Sequence, residues 1–166
     1  MYPVKLGFAA ANARIEALLK NGHDAEALVT AVFTAEKTLR RTLRQLVVSA
    51  GFISKMADRI CGNLRGLDAV KSAWEIYDPK HRKLLDIFTE ADWKVLKDAS
   101  EMRNKLVHGE RVYSLASCRS TAMEVLASLG NIKAALDAEY GYSGWVRGKV
   151  RRQSQLHKDP KVRISP

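Results

Sequence analysis

With 166 residues, 46% of them hydrophobic, the chain is long enough to bury one real core without staples. No apolar run approaches the ~18 residues that a spanning helix requires. Cys61 and Cys118 stand far apart, and His23, His81, His108 and His157 are scattered singly, which argues against a disulfide framework or a zinc site. The net charge of +10 is uneven: residues 1–140 carry 21 Lys and Arg against 17 Asp and Glu, whereas residues 141–166 carry 7 against 1. Two parts are therefore expected, a folded domain over 1–140 and a basic tail over 141–166.

Proline is nearly absent from the middle of the chain, and apolar residues recur at helical rather than alternating spacing, so the fold class is all-α. A bundle of about five to six helices is expected. The Ala-rich stretch from Leu6 to Ala13 has the look of a signal segment, but Pro3, Asn12 and Arg14 interrupt it. Its 3.6-residue pattern continues through Ile15, Leu18 and Leu19, which suits a mature first helix from about Gly7 to Asn21 and a cytoplasmic protein.

A second helix is expected from Asp24, as N-cap, to about Ser49, with Leu28, Val32, Ala35, Leu39, Leu43 and Leu46 on its apolar face. Its opposite face carries Lys37, Arg40, Arg41 and Arg44. Such a run usually marks a solvated helix side, and RNA binding is the alternative. Glu36 lies near the apolar stripe, where a local ion pair is the expected role and a hydrogen bond to the helix that ends at His108 the alternative.

Two shorter helices broken near Gly62 to Gly66 fill residues 52–77, and Asp78-Pro79-Lys80-His81 reads as a turn. Thr89 with Asp92 three residues on resembles a capping box and starts the next helix. A last helix runs from about Ser114 to Tyr140. Trp74 and Trp93 are assigned to the core. In the tail, Tyr140, Tyr142 and Trp145 precede Arg147, Lys149, Arg151 and Arg152. That mixture suits an RNA-binding segment, and equally a tail whose aromatics anchor it on the bundle.

The helix that begins at Thr89 ends on Arg103-Asn104-Lys105-Leu106-Val107-His108-Gly109. It gathers an anion-binding cation, an amide and a titratable imidazole, the groups that phosphodiester cleavage without a metal requires. With residues advancing about 100° each, Asn104 and His108 fall on one side, away from Leu96, Ala99 and Leu106. Cations and a His before a Gly are also an ordinary helix ending. With 14 Arg and 4 His in the chain, an Arg at such a distance before a His arises roughly once by accident, and Arg151 and Arg152 before His157 are further instances.

The surroundings of Arg103 and His108 single this instance out. The Asn directly after Arg103, the Gly directly after His108, the helix leading in from Phe88 to Trp93, and the earlier Glu36-Lys37-Thr38-Leu39-Arg40 helix together resemble the HEPN superfamily. These are helical domains found in many prokaryotic toxins and defence proteins. The resemblance covers about 24–140. It implies a helical bundle that forms a homodimer, and a metal-independent endoribonuclease without cofactor, in which Arg103 and His108 of both protomers line one cleft. Asn104 would orient the imidazole or the phosphate. RNA would be the substrate, held also by Arg40, Arg41, Arg44, Lys105, Trp145, Arg147, Lys149, Arg151 and Arg152, and an antitoxin protein is among the implied partners. Many members lack activity and serve as scaffolds for dimerisation or for binding RNA or protein. In members modified by a partner nucleotidyltransferase, a Tyr stands two positions after the His. Here that position is Glu110 and the nearest Tyr is Tyr113, so that regulation is not implied.

Overall fold

A computed structural model describes residues 7–145 of the protein. Among them are six α-helices, α1 (Phe8–Lys20), α2 (Asp24–Ser49), α3 (Ser54–Asn63), α4 (Gly66–Tyr77), α5 (Glu90–Val107) and α6 (Leu115–Tyr140), with a single 3-10 turn at Leu84–Asp86 and no strand. The fold is an all-α bundle. None of these helices is long and apolar enough to cross a membrane.

The helix ends follow from local chemistry. Gly22, at φ 77°, takes the left-handed conformation that stops α1, and Gly141, at φ 64°, does the same for α6. Thr89 caps α5 by accepting the Asp92 N–H, and its hydroxyl donates to the Asp92 carboxylate. Ser114 caps α6 through the Ser117 N–H. Each such cap contributes about 1 kcal/mol. At the start of α2 the sequence reading is off by one residue: His23 occupies the N-cap position, and Asp24 is the first helical residue. The Asp24 side chain is drawn instead to Arg119 of α6, 3.1 Å away, so it does not close on its own helix.

Helix α2 is the axis of the bundle and touches the other five. Ile15 and Leu19 of α1, Leu28, Leu39, Leu43 and Leu46 of α2, Trp74 of α4, Trp93 and Leu96 of α5, and Val125, Leu129 and Leu136 of α6 form its continuous core. Both tryptophans are buried, as their positions on apolar faces require. Helices α5 and α6 form an antiparallel hairpin, with Asn131 bonded to Asp92 near one end and Thr121 to Met102 near the other. Helix α6 runs alongside α2 in the same direction, since Arg119 near its start meets Asp24 at the start of α2. Buried Thr30, Thr34, Thr38 and Thr42 are tolerated within α2 because each hydroxyl donates to the carbonyl one turn back, at 2.7–2.9 Å.

A buried polar knot closes the bundle where α4 and α6 end. The Asp78 carboxylate, fully buried, accepts from the N–H groups of Lys80 and Arg82, from the Arg82 guanidinium and from the Tyr140 hydroxyl. Trp74 Nε1 donates to the same Tyr140 oxygen at 3.0 Å, and Arg82 reaches on to Glu139 at 2.7 Å. Every polar group in this knot has a partner, so its burial costs little.

The chain then turns back along α2. Tyr142, Ser143 and Gly144 are buried, and Arg41 donates to the Gly144 carbonyl. Trp145 donates its indole N–H to Thr38 at 2.8 Å. Residues 141–145 thus form a strap on α2. Arg147, Lys149, Arg151, Arg152 and His157 lie outside the described residues.

Candidate functional site at the end of the fifth helix

The C-terminus of α5 is closed by backbone geometry that fixes where His108 stands. His108 is the C-cap, with its N–H bonded to the Asn104 carbonyl. Gly109 at φ 69° then lets its own N–H reach Leu106 and the Glu110 N–H reach Lys105. This paired arrangement satisfies the last carbonyls and needs a residue at ease in the left-handed region. The His108 imidazole is left exposed, with Asn104 exposed one turn earlier, on the side of the helix that the angular argument assigned to them.

Arg103 points a different way. It leans onto α2, where its Nη2 donates to Glu36 Oε1 at 2.6 Å, and Ser100 donates to the same oxygen at 3.2 Å. Only 22% of the Arg103 side chain and 19% of the Glu36 side chain is exposed, so the pair is largely shielded from water. Glu36 is therefore bonded to the motif helix, and the expectation of a local ion pair within α2 is corrected. Its position near the apolar stripe was the available signal. What could not be read was which residues of α5, Arg103 and Ser100, would face it. Arg103 Nε is buried and has no acceptor among the described residues. One edge of the guanidinium is committed to Glu36.

The other cations proposed for RNA binding are distributed differently from a plain solvated face. Arg40 donates to the carbonyl oxygens of Leu64 (2.8 Å) and Cys61 (3.4 Å), tying α2 to the link between α3 and α4. Arg44 binds Asp58 of α3, and this hydrogen bond raises the pKa of its guanidinium. Arg41 holds the strap and lies 5.5 Å from the centroid of the Trp145 ring. All three are half-buried. Lys105 is exposed beside the motif. Trp145 is wedged against Phe8 edge to face at 5.6 Å, with Lys37 at 5.1 Å over its ring. Tyr140 and Tyr142, read as stacking surfaces, are buried in the bundle. The aromatics of this stretch anchor the chain.

Three apolar side chains near His108 in the chain are exposed, with exposed Glu110 and Arg111 among them. Val107 is 59%, Val112 91% and Leu115 58% exposed, all within eight residues of one another. Among the described residues, no group of three His, Cys, Asp or Glu side chains could hold a metal ion. The thiols of Cys61 and Cys118 are pushed up in pKa, chiefly by burial. Both suit packing.

Compared with known proteins, the chain matches no family model, no curated protein and no solved structure.

Proposed function

We propose that the protein is a metal-independent endoribonuclease of the HEPN type, working as a cytoplasmic homodimer on single-stranded RNA, in the role of a toxin or defence effector restrained by an antitoxin. The observation that carries this reading is the end of α5, where an imidazole and an amide are exposed one turn apart and the Arg103 guanidinium of the preceding turn is fixed on Glu36. A proton-moving group and a fixed cation are the groups that phosphodiester cleavage needs. A ribose 2′-hydroxyl gives its proton to an imidazole and bonds to the adjacent phosphorus. The P–O5′ bond then breaks, and the departing oxygen takes a proton from an imidazole. A 2′,3′-cyclic phosphate and a 5′-hydroxyl remain. Two facing copies of His108 supply both proton roles, Arg103 steadies the charge on the phosphoryl oxygens, and Asn104 orients the imidazole or the phosphate.

The apolar residues flanking His108 support a partner on this face, because single exposed apolar residues are normal but a cluster of them marks an interaction surface. An isologous contact would bring the same patch of each subunit together and turn an open half-site into a cleft. The same cluster favours one second reading, a non-catalytic helical module that uses this face only to dimerise or to bind RNA or protein. Cleavage separates the two. Purified protein in EDTA is expected to cut single-stranded RNA to cyclic-phosphate and 5′-hydroxyl ends and to leave DNA of the same sequence intact. Equal cutting of DNA would refute the 2′-hydroxyl chemistry, and no cutting of RNA by a dimeric preparation would favour the interaction module.

A further inference from the structure

The turn that joins α2 to α3 projects from the bundle. Every residue from Gly51 to Met56 is exposed. A segment lying flat on a bundle buries a residue in every turn, so an unbroken exposed run of this kind marks a tip. Several of its side chains are nevertheless apolar: Ile53 is 65%, Met56 49% and Phe52 36% exposed. Phe52 meets Tyr77 of α4 edge to face at 6.0 Å, and Ile76, adjacent to Tyr77 in the chain, is 64% exposed. Ala57 is the buried residue of α3. With residues advancing about 100° each, Lys55 and Arg59 fall roughly 160–200° from it, on the outward side of the helix, and both are exposed. Asp58, the acid of α3, is engaged by Arg44. The tip therefore presents apolar side chains beside two cations.

We propose that this tip attaches the protein to the surface of an anionic lipid bilayer, with Ile53 and Met56 entering the acyl boundary and Lys55 and Arg59 meeting lipid phosphates. Exposed apolar side chains with Lys and Arg beside them suit a membrane interface, where the apolar groups leave water and the cations stay at the headgroups. The projecting shape favours lipid over a protein partner: a bilayer yields to a wedge, whereas a rigid partner must carry a pocket to match. A second copy fits less well, because an isologous contact here would set Lys55 and Arg59 of both subunits against each other. Among the described residues no helix is long and apolar enough to cross a membrane, so the attachment is to one surface. The inference does not rest on the α5 site, which shares no residue with this tip.

The cations of residues 146–166 also attract anionic lipid, so the test reads insertion of the tip itself. Full-length Ile53→Trp is mixed with vesicles of phosphatidylcholine and phosphatidylglycerol in equal parts, their acyl chains brominated to quench a tryptophan that enters them. Its emission should be quenched well beyond that of the parent, and not on phosphatidylcholine alone. Co-sedimentation with the same vesicles should show Ile53→Ser with Met56→Ser weakened about 10- to 100-fold. Lys55→Gln with Arg59→Gln should be weakened about 5- to 30-fold, a difference that vanishes in high salt. Since these side chains are exposed, the thermal melts of all variants should match that of the parent. Ile53→Trp quenched no more than the parent overturns the proposal, as does vesicle binding by the serine variant equal to the parent's. A change of oligomeric state in the serine variant would make the tip a contact between subunits. Loss of RNA affinity with vesicle binding intact in the glutamine variant would make it an RNA surface, and either result overturns the proposal too.

Discussion

A guanidinium held between two helices has to be compensated, and Glu36 does this for Arg103 through a 2.6 Å hydrogen bond in which both side chains are largely shielded. Removing the carboxylate leaves the cation without a counter-charge, a change that costs about 1–3 kcal/mol where shielding is incomplete. Glu36→Ala should therefore lower stability by that amount in urea unfolding. Glu36→Gln keeps an acceptor oxygen but not the charge, so it should lose only part of that stability while slowing RNA cleavage, because a neutral amide fixes the guanidinium less firmly. Equal cleavage by Glu36→Gln and the parent would show that the pair serves only the fold. Asp78 makes a second case. Burial alone would raise its pKa, but hydrogen bonds from Arg82, from Tyr140 and from the N–H groups of Arg82 and Lys80 outweigh burial and hold it below the ordinary carboxylate range. Arg82 likewise holds Glu139 down. A carboxyl depressed in the folded state contributes stability that is fully present above its unfolded value, about 3.9 for Asp, and is lost as the pH falls through the depressed value. The urea midpoint of the parent should fall steeply below about pH 4. Asp78→Asn should be less stable at neutral pH by about 2–4 kcal/mol and show a shallower acid dependence. Parallel acid profiles for the two proteins would rule out this role.

At the scale of elements, the strap shows how a short segment is fixed by a few contacts. Gly144 sits at φ 86°, and a Cβ there would come within 2.7 Å of the Arg41 Cβ and 3.1 Å of the Thr38 carbonyl. Gly144→Ala should strain the backbone and push Trp145 off Thr38, destabilising by about 1–3 kcal/mol. The Trp145 indole N–H resonance should shift while those of Trp74 and Trp93 stay in place. An unmoved Trp145 signal would mean that the strap yields without cost. Helix boundaries were legible in the sequence where a local cause exists: Gly22, Thr89 with Asp92, Ser114 and Gly141 each act within a few residues of where they stand. The 3-10 turn at Leu84–Asp86 is also held locally, by the Asp86 carboxylate accepting the Lys83 N–H at 2.9 Å, but it is too short to show a periodic pattern. The strap was legible as one of two readings, since Tyr142 and Trp145 suit anchoring on the bundle as well as RNA binding. The docking of Trp145 on Thr38 and of Arg41 on Gly144, more than a hundred residues apart in each case, makes residues 141–145 part of the body. Arg40 and Arg44 were not legible, since their side chains read as a solvated row until α3 packs across them.

At the scale of the whole molecule, the bundle does two things with one helix. The buried side of α5 joins α2 and α6 through Trp93, Leu96 and Ala99, and the last turn carries Arg103 inward to Glu36 while leaving Asn104 and His108 outside. The exposed placement of His108 was legible from its angular position alone. The inward lean of Arg103 was not, because its angular position lies on the border between the buried and the exposed face. One chain leaves Asn104 and His108 exposed at the end of α5, and in the proposed mechanism a second copy completes the site. The account stands or falls on His108. The direct measurement is cleavage of single-stranded RNA in EDTA by the parent and by His108→Ala at equal concentration, with unfolding curves and sedimentation shown to match. The account predicts that the parent cuts and that His108→Ala, dimeric and equally stable, does not; a variant that cuts as fast as the parent would contradict it.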